Sequence, residues 1–454
     1  MATEYPNSQR QRSCDAIPGP PPPRPGSAVR PRSPAGGVTV STPETMPVTR
    51  QVAASGSLLF SIWSSQFGIS LVYGAVPGVL LALQIEDLAG DDKVAVLSIF
   101  TFLGAIAALL AQPLAGMLSD RTRTRWGSRT PYVLGGTIVV APILFSMGFI
   151  ESLAVLGVLY VASEFVLSAS QGPLAAILPD RVPENRRGRF SAGLGLGIML
   201  GSVGGTILGS VLADDLVVAY MVLSVLPLAF TATRLFIARD SDNRESAPTP
   251  ASDSARWWRT FFVNPRTHPD FWWAVGSRTF VYTGFFIIQG YALYILSDYI
   301  GAGEAAVDYV GIAAAIAAVC ISLTAVPAGL LSDRLGRRKV FVTVASIVMA
   351  LGLLIPLAAP TVEGYLTMMV VVALAFGTFE AVDTALVTQV LPRSNSFAQD
   401  LGVTNVAAIA PQILAPALAG VIVIVTGSFA PLFPVAAVIV VIGGVVVFRV
   451  RGVR

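Results

Sequence analysis

Charge is scarce in this sequence. Asp, Glu, Lys and Arg make up 13% of its 454 residues, against about a quarter in an ordinary soluble protein, while 54% is hydrophobic. So few charges cannot clothe a folded chain of this size in water-facing surface, so most of that surface must face a lipid bilayer. The net charge, +3, is too small to hold nucleic acid. Cysteine and histidine are rarer still. Cys14 lies in a polar segment and Cys320 inside an apolar run, so they cannot staple a scaffold. The single histidine, His268, sits in a polar connector without a Cys/His or Ser/His/Asp partner set. With no zinc spacing and no nucleophile–base set, the chain is not expected to be an enzyme or to carry a metal or cofactor. A run of glycines from Gly193 to Gly209 lacks the lysine and the preceding strand of a phosphate loop. Its four-residue spacing suits close helix packing instead.

Apolar runs are abundant. A crossing takes about 20 mostly apolar residues. Runs of that kind, broken by charges, glycine and proline, fall at 57–83, 94–118, 130–150, 153–178, 190–213, 216–237, 271–298, 305–331, 340–359, 363–391, 402–426 and 428–448. The expected class is therefore all-α and integral to the membrane, with twelve transmembrane helices in two six-helix halves. Residues 1–55, which include PGPPPPRPG, bury too little apolar area to offset chain entropy and are expected to form a disordered cytoplasmic tail. The first half is expected at 56–237, a charged cytoplasmic linker at 238–269, the second half at 270–448 and a short tail at 449–454. Orientation follows from the basic residues, because positively charged loops stay cytoplasmic. With both termini inside, every one of the 30 Lys and Arg except Lys93 lies on the cytoplasmic side. Glu86, Asp87, Asp91, Asp92, Asp214, Asp215, Glu304 and Asp308 mark the outer turns. The expectation is a monomeric, multi-pass protein of the cell membrane, with lipid and a small molecule as partners.

The two halves repeat one another. GMLSDR at 116–121 returns as GLLSDR at 329–334, 213 positions later. Beyond an insertion of four residues in the first copy the offset becomes 209: Gly127 and Arg129 match Gly336 and Arg338, Pro183 matches Pro392, and Gly193 matches Gly402. Parallel repeats of this kind suit carriers that rock around a midplane site. The first loop motif holds Gly116, Asp120, Arg121, Arg125, Gly127 and Arg129; its copy holds Gly329, Asp333, Arg334, Gly336, Arg337 and Arg338. Both resemble the cytoplasmic loop motif of the major facilitator superfamily. QPLAGMLSDRTRTRWGSRTPYVLGG at 112–136 is similar to the glycoside–pentoside–hexuronide cation symporter branch, with its melibiose- and sucrose-type carriers. The resemblance implies that the loop residues latch an inner gate, with Asp120 and Asp333 paired to arginine or set at a helix N-terminus. It also implies cation-site carboxylates in helices 2 and 4, at positions that here hold Ala108, Gln112 and Gln171. None of these is charged, which turns the expected coupling ion from sodium to the proton.

Ionisable groups inside apolar runs are costly and are functional candidates by default. Glu164 is central in its run, Glu380 and Asp383 lie three apart on one helix face, and Arg278 is placed to pair with one of them. Burial raises a carboxyl pKa and a nearby arginine lowers it, so a carboxyl between the two effects can load and release a proton near neutrality. Structural pairing is the competing role. Polar and aromatic residues recur at helical spacing as Trp63, Gln66, Ser70 and Tyr73, as Tyr282, Phe286, Gln289 and Tyr294, and as Asn405 and Gln412. With Gln112 and Gln171 they are candidates for substrate contact, since amides beside aromatic faces suit the hydroxyls and CH faces of a sugar. The same features suit amphipathic drugs, and helix packing uses the same residues. A secondary transporter working by alternating access is the expectation, with proton-coupled uptake of a sugar or glycoside first. Proton-coupled efflux of an amphipathic small molecule, or a non-transporting receptor or scaffold on the same fold, are the alternatives.

Overall fold

The computed structural model describes residues 56–183, 186–237, 242, 244, 266, 268–390 and 397–450, apart from the side chains of 179, 187, 188, 388 and 397–409. The N-terminal tail, most of the linker and the last four residues lie outside that description. Every regular element among the described residues is helical. Helix α1 (Gly56–Ala75) passes through a π-turn, Val76–Leu80, into α2 (Leu81–Ala89). Then come α3 (Lys93–Arg121), α4 (Thr130–Met147), α5 (Leu153–Arg181), α6 (Arg187–Val211) and α7 (Leu216–Ile237). Beyond the linker follow α8 (Pro269–Gln289), α9 (Ala306–Leu335), α10 (Arg338–Leu353), α11 (Val362–Val390), α12 (Phe397–Thr426) and α13 (Leu432–Val446). Among the described residues nine helices are long and apolar enough to cross a membrane, or ten when a bent pair counts as one. Their outer faces are apolar: Val211 is 70%, Leu323 63% and Val425 78% exposed. Such exposure is unfavourable in water and neutral among lipid tails, where helices also satisfy their own backbone groups.

The helix breaks have local causes. Pro77 has no N–H to give, and the π-turn forms around it. Gly90 takes φ 55°, a conformation open to glycine, and ends α2. The run expected to be continuous over 271–298 is broken instead. Helix α8 stops at Gln289 and the chain bends by 51° before Ala292–Tyr299. The last turn tightens there, with the Gly290 N–H on Phe286 and the Tyr291 N–H on Ile288. Likewise the run at 340–359 divides after Leu353, ahead of Pro356.

Helix α1 packs on α6 and α7, α3 and α4 pack on α5, and α4 also meets α7. In the second group α8 packs on α12 and α13, α9 and α10 pack on α11, and α10 also meets α13. The groups touch along α3–α12 and α6–α9. Glycine makes the α1–α6 contact possible. A Cβ on Gly205 would stand 2.0 Å from the Leu71 carbonyl, so only hydrogen fits between the two backbones.

Candidate functional site

Two polar clusters lie inside the bundle, one in each group of helices. The first is built on α5. Glu164, midway along it, is 8% exposed. Tyr160 and Ser168 lie one turn to either side and share its face. Tyr73 reaches across from α1 to Ser168, hydroxyl to hydroxyl, at 2.8 Å. Gly104 on α3 leaves the space that Glu164 occupies: a methyl there would stand 2.9 Å from the Tyr160 ring and 3.1 Å from Glu164 Cγ. Gln112 and Gln171 sit further along the same two helices. The helices approach so closely there that a Cβ on Gly172 would lie 2.6 Å from the Gln112 carbonyl. Tyr160, Ser168 and Gly104 were not among the expected site residues. Counting four residues either way from Glu164 finds the first two; nothing in one dimension marks Gly104.

The second cluster joins α8 to α11. Arg278, 8% exposed, has Nε 3.2 Å from Asp383 Oδ2 and Nη2 3.8 Å from Glu380 Oε1. It therefore stands between both carboxylates, not beside one. Asp383 is 1% exposed, and neither of its oxygens has a hydrogen-bond partner among the described residues. Arg278 Nε also lacks hydrogen-bond alignment, so Asp383 is held by charge alone. The Glu380 side chain is 38% exposed and accepts a hydrogen bond from the Tyr282 hydroxyl. An aromatic wall continues from Tyr282. Phe376 meets it edge-on at 5.3 Å between centroids and stacks on Phe285 at 4.2 Å.

The remaining expected contacts fall elsewhere. Gln66 donates to Ser70 in its own helix at 3.1 Å and packs over Gly197 of α6. Trp63 stacks on Phe67 at 5.4 Å. Gln66 packs against α6 and Trp63 stacks within α1, so the α1 stripe contributes Tyr73 to the cluster and not its whole length. Gln289 is half-buried at the end of α8, and Gln412 is exposed on α12. Tyr294 lies beyond the bend, fully buried, with its hydroxyl donating to the Ala82 carbonyl at 2.8 Å. The Asn405 side chain is outside the described residues. An apolar groove of about 630 Å³ between α3 and α5, lined by Phe100, Leu103, Val158 and Phe165 among others, has no titratable group and takes no part in this chemistry.

Both loop motifs close on an ion pair. Arg129 Nη1 meets Asp120 Oδ1 at 2.6 Å, and Arg338 Nη2 meets Asp333 Oδ1 at 2.6 Å. Gly127 (φ 78°) and Gly336 (φ 61°) each turn the chain through the left-handed region that lets the arginine return to its aspartate. Arg129 also binds Asp180 of α5 at 2.8 Å, whereas Arg338 donates to the Ala385 carbonyl of α11 at 2.8 Å. Each arginine therefore ties its loop to a helix of its own group. Arg121, Arg334 and Arg337 are exposed, and Arg125 lies 5.1 Å from the Trp126 ring. Gly116 and Gly329 are helical, Gly116 with open space where a side chain would go.

Both helix groups thus hold a buried carboxylate, Glu164 in one and Asp383 in the other, and each carries an Asp–Arg latch. Residues 92–425 match the family described as MFS/sugar transport protein. The chain belongs to that family. Its apolar helices make it a multi-pass membrane protein. Among curated relatives, an uncharacterized symporter of Synechocystis sp. is 41% identical over 61 residues, 13% of this chain and 11% of that protein. The sucrose transport protein SUT1 of Oryza sativa subsp. japonica is 36% identical over 55 residues, 12% of this chain and 10% of that one. Solute carrier family 45 member 4 of Mus musculus is 34% identical over 131 residues, 23% of this chain and 16% of that one. Each match thus spans between 10% and 16% of the relative's own length. Solved structures share the fold. The nucleoside transporter NupG aligns with a TM-score of 0.63 at 13% identity, covering 87% of this MFS protein and 99% of NupG. A bacterial homolog of the human lysosomal transporter Spinster, in an inward-facing and occupied conformation, aligns with a TM-score of 0.62 at 15% identity, covering 87% and 96%.

Proposed function

We propose that this MFS protein takes up a sugar or glycoside together with protons, by alternating access. The observation that carries this is the presence of a buried carboxylate in each helix group, Glu164 in one and Asp383, with the half-exposed Glu380 beside it, in the other. A carboxylate inside a bilayer is unfavourable unless it works, and a proton that loads and leaves is work it can do. The hydroxyls of Tyr73, Ser168 and Tyr282 and the ring of Phe376 supply the hydrogen bonds and flat apolar face that a sugar requires. Ala108, Gln112 and Gln171 bring no charge for sodium.

The same proposal reads the bundle as twelve crossings, six and six. The stretch Gly56–Arg121, at 66 residues, would be about 100 Å long as one straight helix, roughly three times a bilayer core of about 30 Å. It counts as two crossings joined at Gly90. The halves 56–237 and 270–448 then correspond helix for helix, and each of the five helix pairs described for the first has its counterpart in the second. The two Asp–Arg latches and their left-handed glycines support that symmetry. Both termini, the linker and the latches are cytoplasmic, and Lys93 is outside. The wall of Tyr282, Phe285 and Phe376 favours a second reading, proton-coupled efflux of an amphipathic molecule.

Purified protein in liposomes loaded with a pH-sensitive dye separates the two. Adding a transported glycoside outside should acidify the lumen without any imposed gradient. A lumen that stays neutral with every glycoside, while an imposed proton gradient drives movement of a hydrophobic cation, would replace uptake by efflux.

A further inference from the structure

In this topology Lys93 is the single basic residue on the outer side, and it is fully engaged. Its Nζ lies 2.6 Å from Glu86 Oε1, 2.9 Å from Asp298 Oδ2 and 4.8 Å from the centre of the Tyr294 ring. Glu86 lies in the last turn of α2 in the same half. Asp298 belongs to the bent continuation of α8 in the other half. The Lys93 side chain is only 15% exposed, less than either carboxylate. Directly beneath, more contacts cross between the halves. Tyr294 donates to the Ala82 carbonyl, and Ser98 shares a hydrogen bond with Tyr291. Gly420 of α12 lies so close to α3 that a Cβ on it would be 2.1 Å from Ser98 Oγ.

We propose that Lys93 is the lock of the outer gate: it ties Asp298 to Glu86 while the site is closed to the outside, and outward opening must break the Lys93–Asp298 bridge. Its charge acts twice. It attracts Asp298, and it cancels the repulsion that Glu86 and Asp298 would otherwise exert on each other across the seam. Removing Lys93 therefore penalises the closed state by both effects. Removing the Asp298 charge forfeits the attraction alone, because Lys93 keeps Glu86 within its own half. Removing the Glu86 charge leaves the crossing bridge in place. The expected order of opening is Lys93→Gln, then Asp298→Asn, then Glu86→Gln.

This assignment rests on the alternating-access proposal, so the gate is best read without any substrate. Thr101, half-buried on α3 about two turns inward of Lys93, is replaced by cysteine in full-length protein whose Cys14 and Cys320 are changed to serine. Labelling by a membrane-impermeant maleimide added outside is then timed. Lys93→Gln should label about three- to tenfold faster, the range for losing a partly shielded ion pair. Lys93→Arg should label at the parent rate. Equal rates for Lys93→Gln and the parent would overturn the lock. Should Lys93→Gln fail to reach the membrane, Asp298→Asn decides by the same measurement: a faster rate supports the lock, an unchanged rate overturns it. A faster rate in protein that moves no substrate would keep the lock and remove the proposed function; unchanged labelling in an active carrier would do the reverse.

Discussion

Asp383→Asn tests how the buried cluster at Arg278 is held. Arg278 and Asp383 are 3.2 Å apart and both shielded, so at an effective dielectric of about 20 their attraction is ~5 kcal/mol. Glu380 stands 3.8 Å from the same guanidinium with its side chain 38% exposed, and screening near the bulk-water limit reduces its share to about 1 kcal/mol. Losing the Asp383 charge leaves Arg278 buried with little compensation, which should destabilise the fold by about 3–5 kcal/mol. Glu380→Gln leaves the inner pair whole and should cost about 1 kcal/mol or less. Removing both charges in Arg278→Met/Asp383→Asn should recover most of the loss, since a missing pair is far better tolerated than a widowed charge. Thermal midpoints of the purified full-length protein in detergent, followed by fluorescence of its six tryptophans, compare the variants directly. The electrostatic account fails if Asp383→Asn unfolds with the parent, or if the double variant is as unstable as the two single losses added together.

Other consequences are open to measurement. Glu164→Gln should insert and fold yet lose net proton-linked uptake, while exchange of labelled for unlabelled substrate persists; retained lumen acidification would exclude Glu164 from coupling. Gly104→Ala places a methyl 2.9 Å from the Tyr160 ring and 3.1 Å from Glu164 Cγ, so it should cost about 1–3 kcal/mol and slow uptake. Parent-like stability and rate in that variant would show that α3 does not confine Glu164. Gly127→Ala and Gly336→Ala force a side chain into left-handed backbone and should each cost about 1–2 kcal/mol, whereas Gly116→Ala, in a helix with open space, should be neutral or stabilising. A set of thermal midpoints checks all three.

What could be read in one dimension follows from what is rare in lipid. Glu164, Arg278, Glu380 and Asp383 were legible because a charge in an apolar run has few ordinary explanations. Tyr160 and Ser168 were not, because such residues are common in helices and acquire meaning from Tyr73, which arrives from a distant helix. Gln66 has the spacing of a lining stripe, and the same spacing serves packing; only Gly197 of α6 opposite it separates the two roles. The runs at 57–83, 271–298 and 340–359 were read as unbroken; Pro77 and Pro356 mark two of their breaks, whereas the bend after Gln289 carries no proline. Lys93 showed as the exception to a charge pattern, but its partner Asp298 lies 205 residues away and only the fold brings them together.

The repeat was legible through its change of offset, and the structure supplies the physical content of that change. Asp120 and Arg129 are nine positions apart, Asp333 and Arg338 five, yet both pairs close at 2.6 Å. Four extra residues are absorbed in the loop without moving its ends. Gly127 and Gly336, each two residues before the arginine, redirect the chain in both copies. The loop length is therefore free and the charge pair is constrained, as expected if the interaction at the helix end, not the loop's contour, is what these carriers use. The copies differ in the second partner, a carboxylate for Arg129 and a carbonyl for Arg338. Arg129 thus joins two helices of its half through formal charge, while Arg338 does so through one charge and one dipole. Salt should weaken the first latch more than the second, because two ion pairs hold the first and one holds the second.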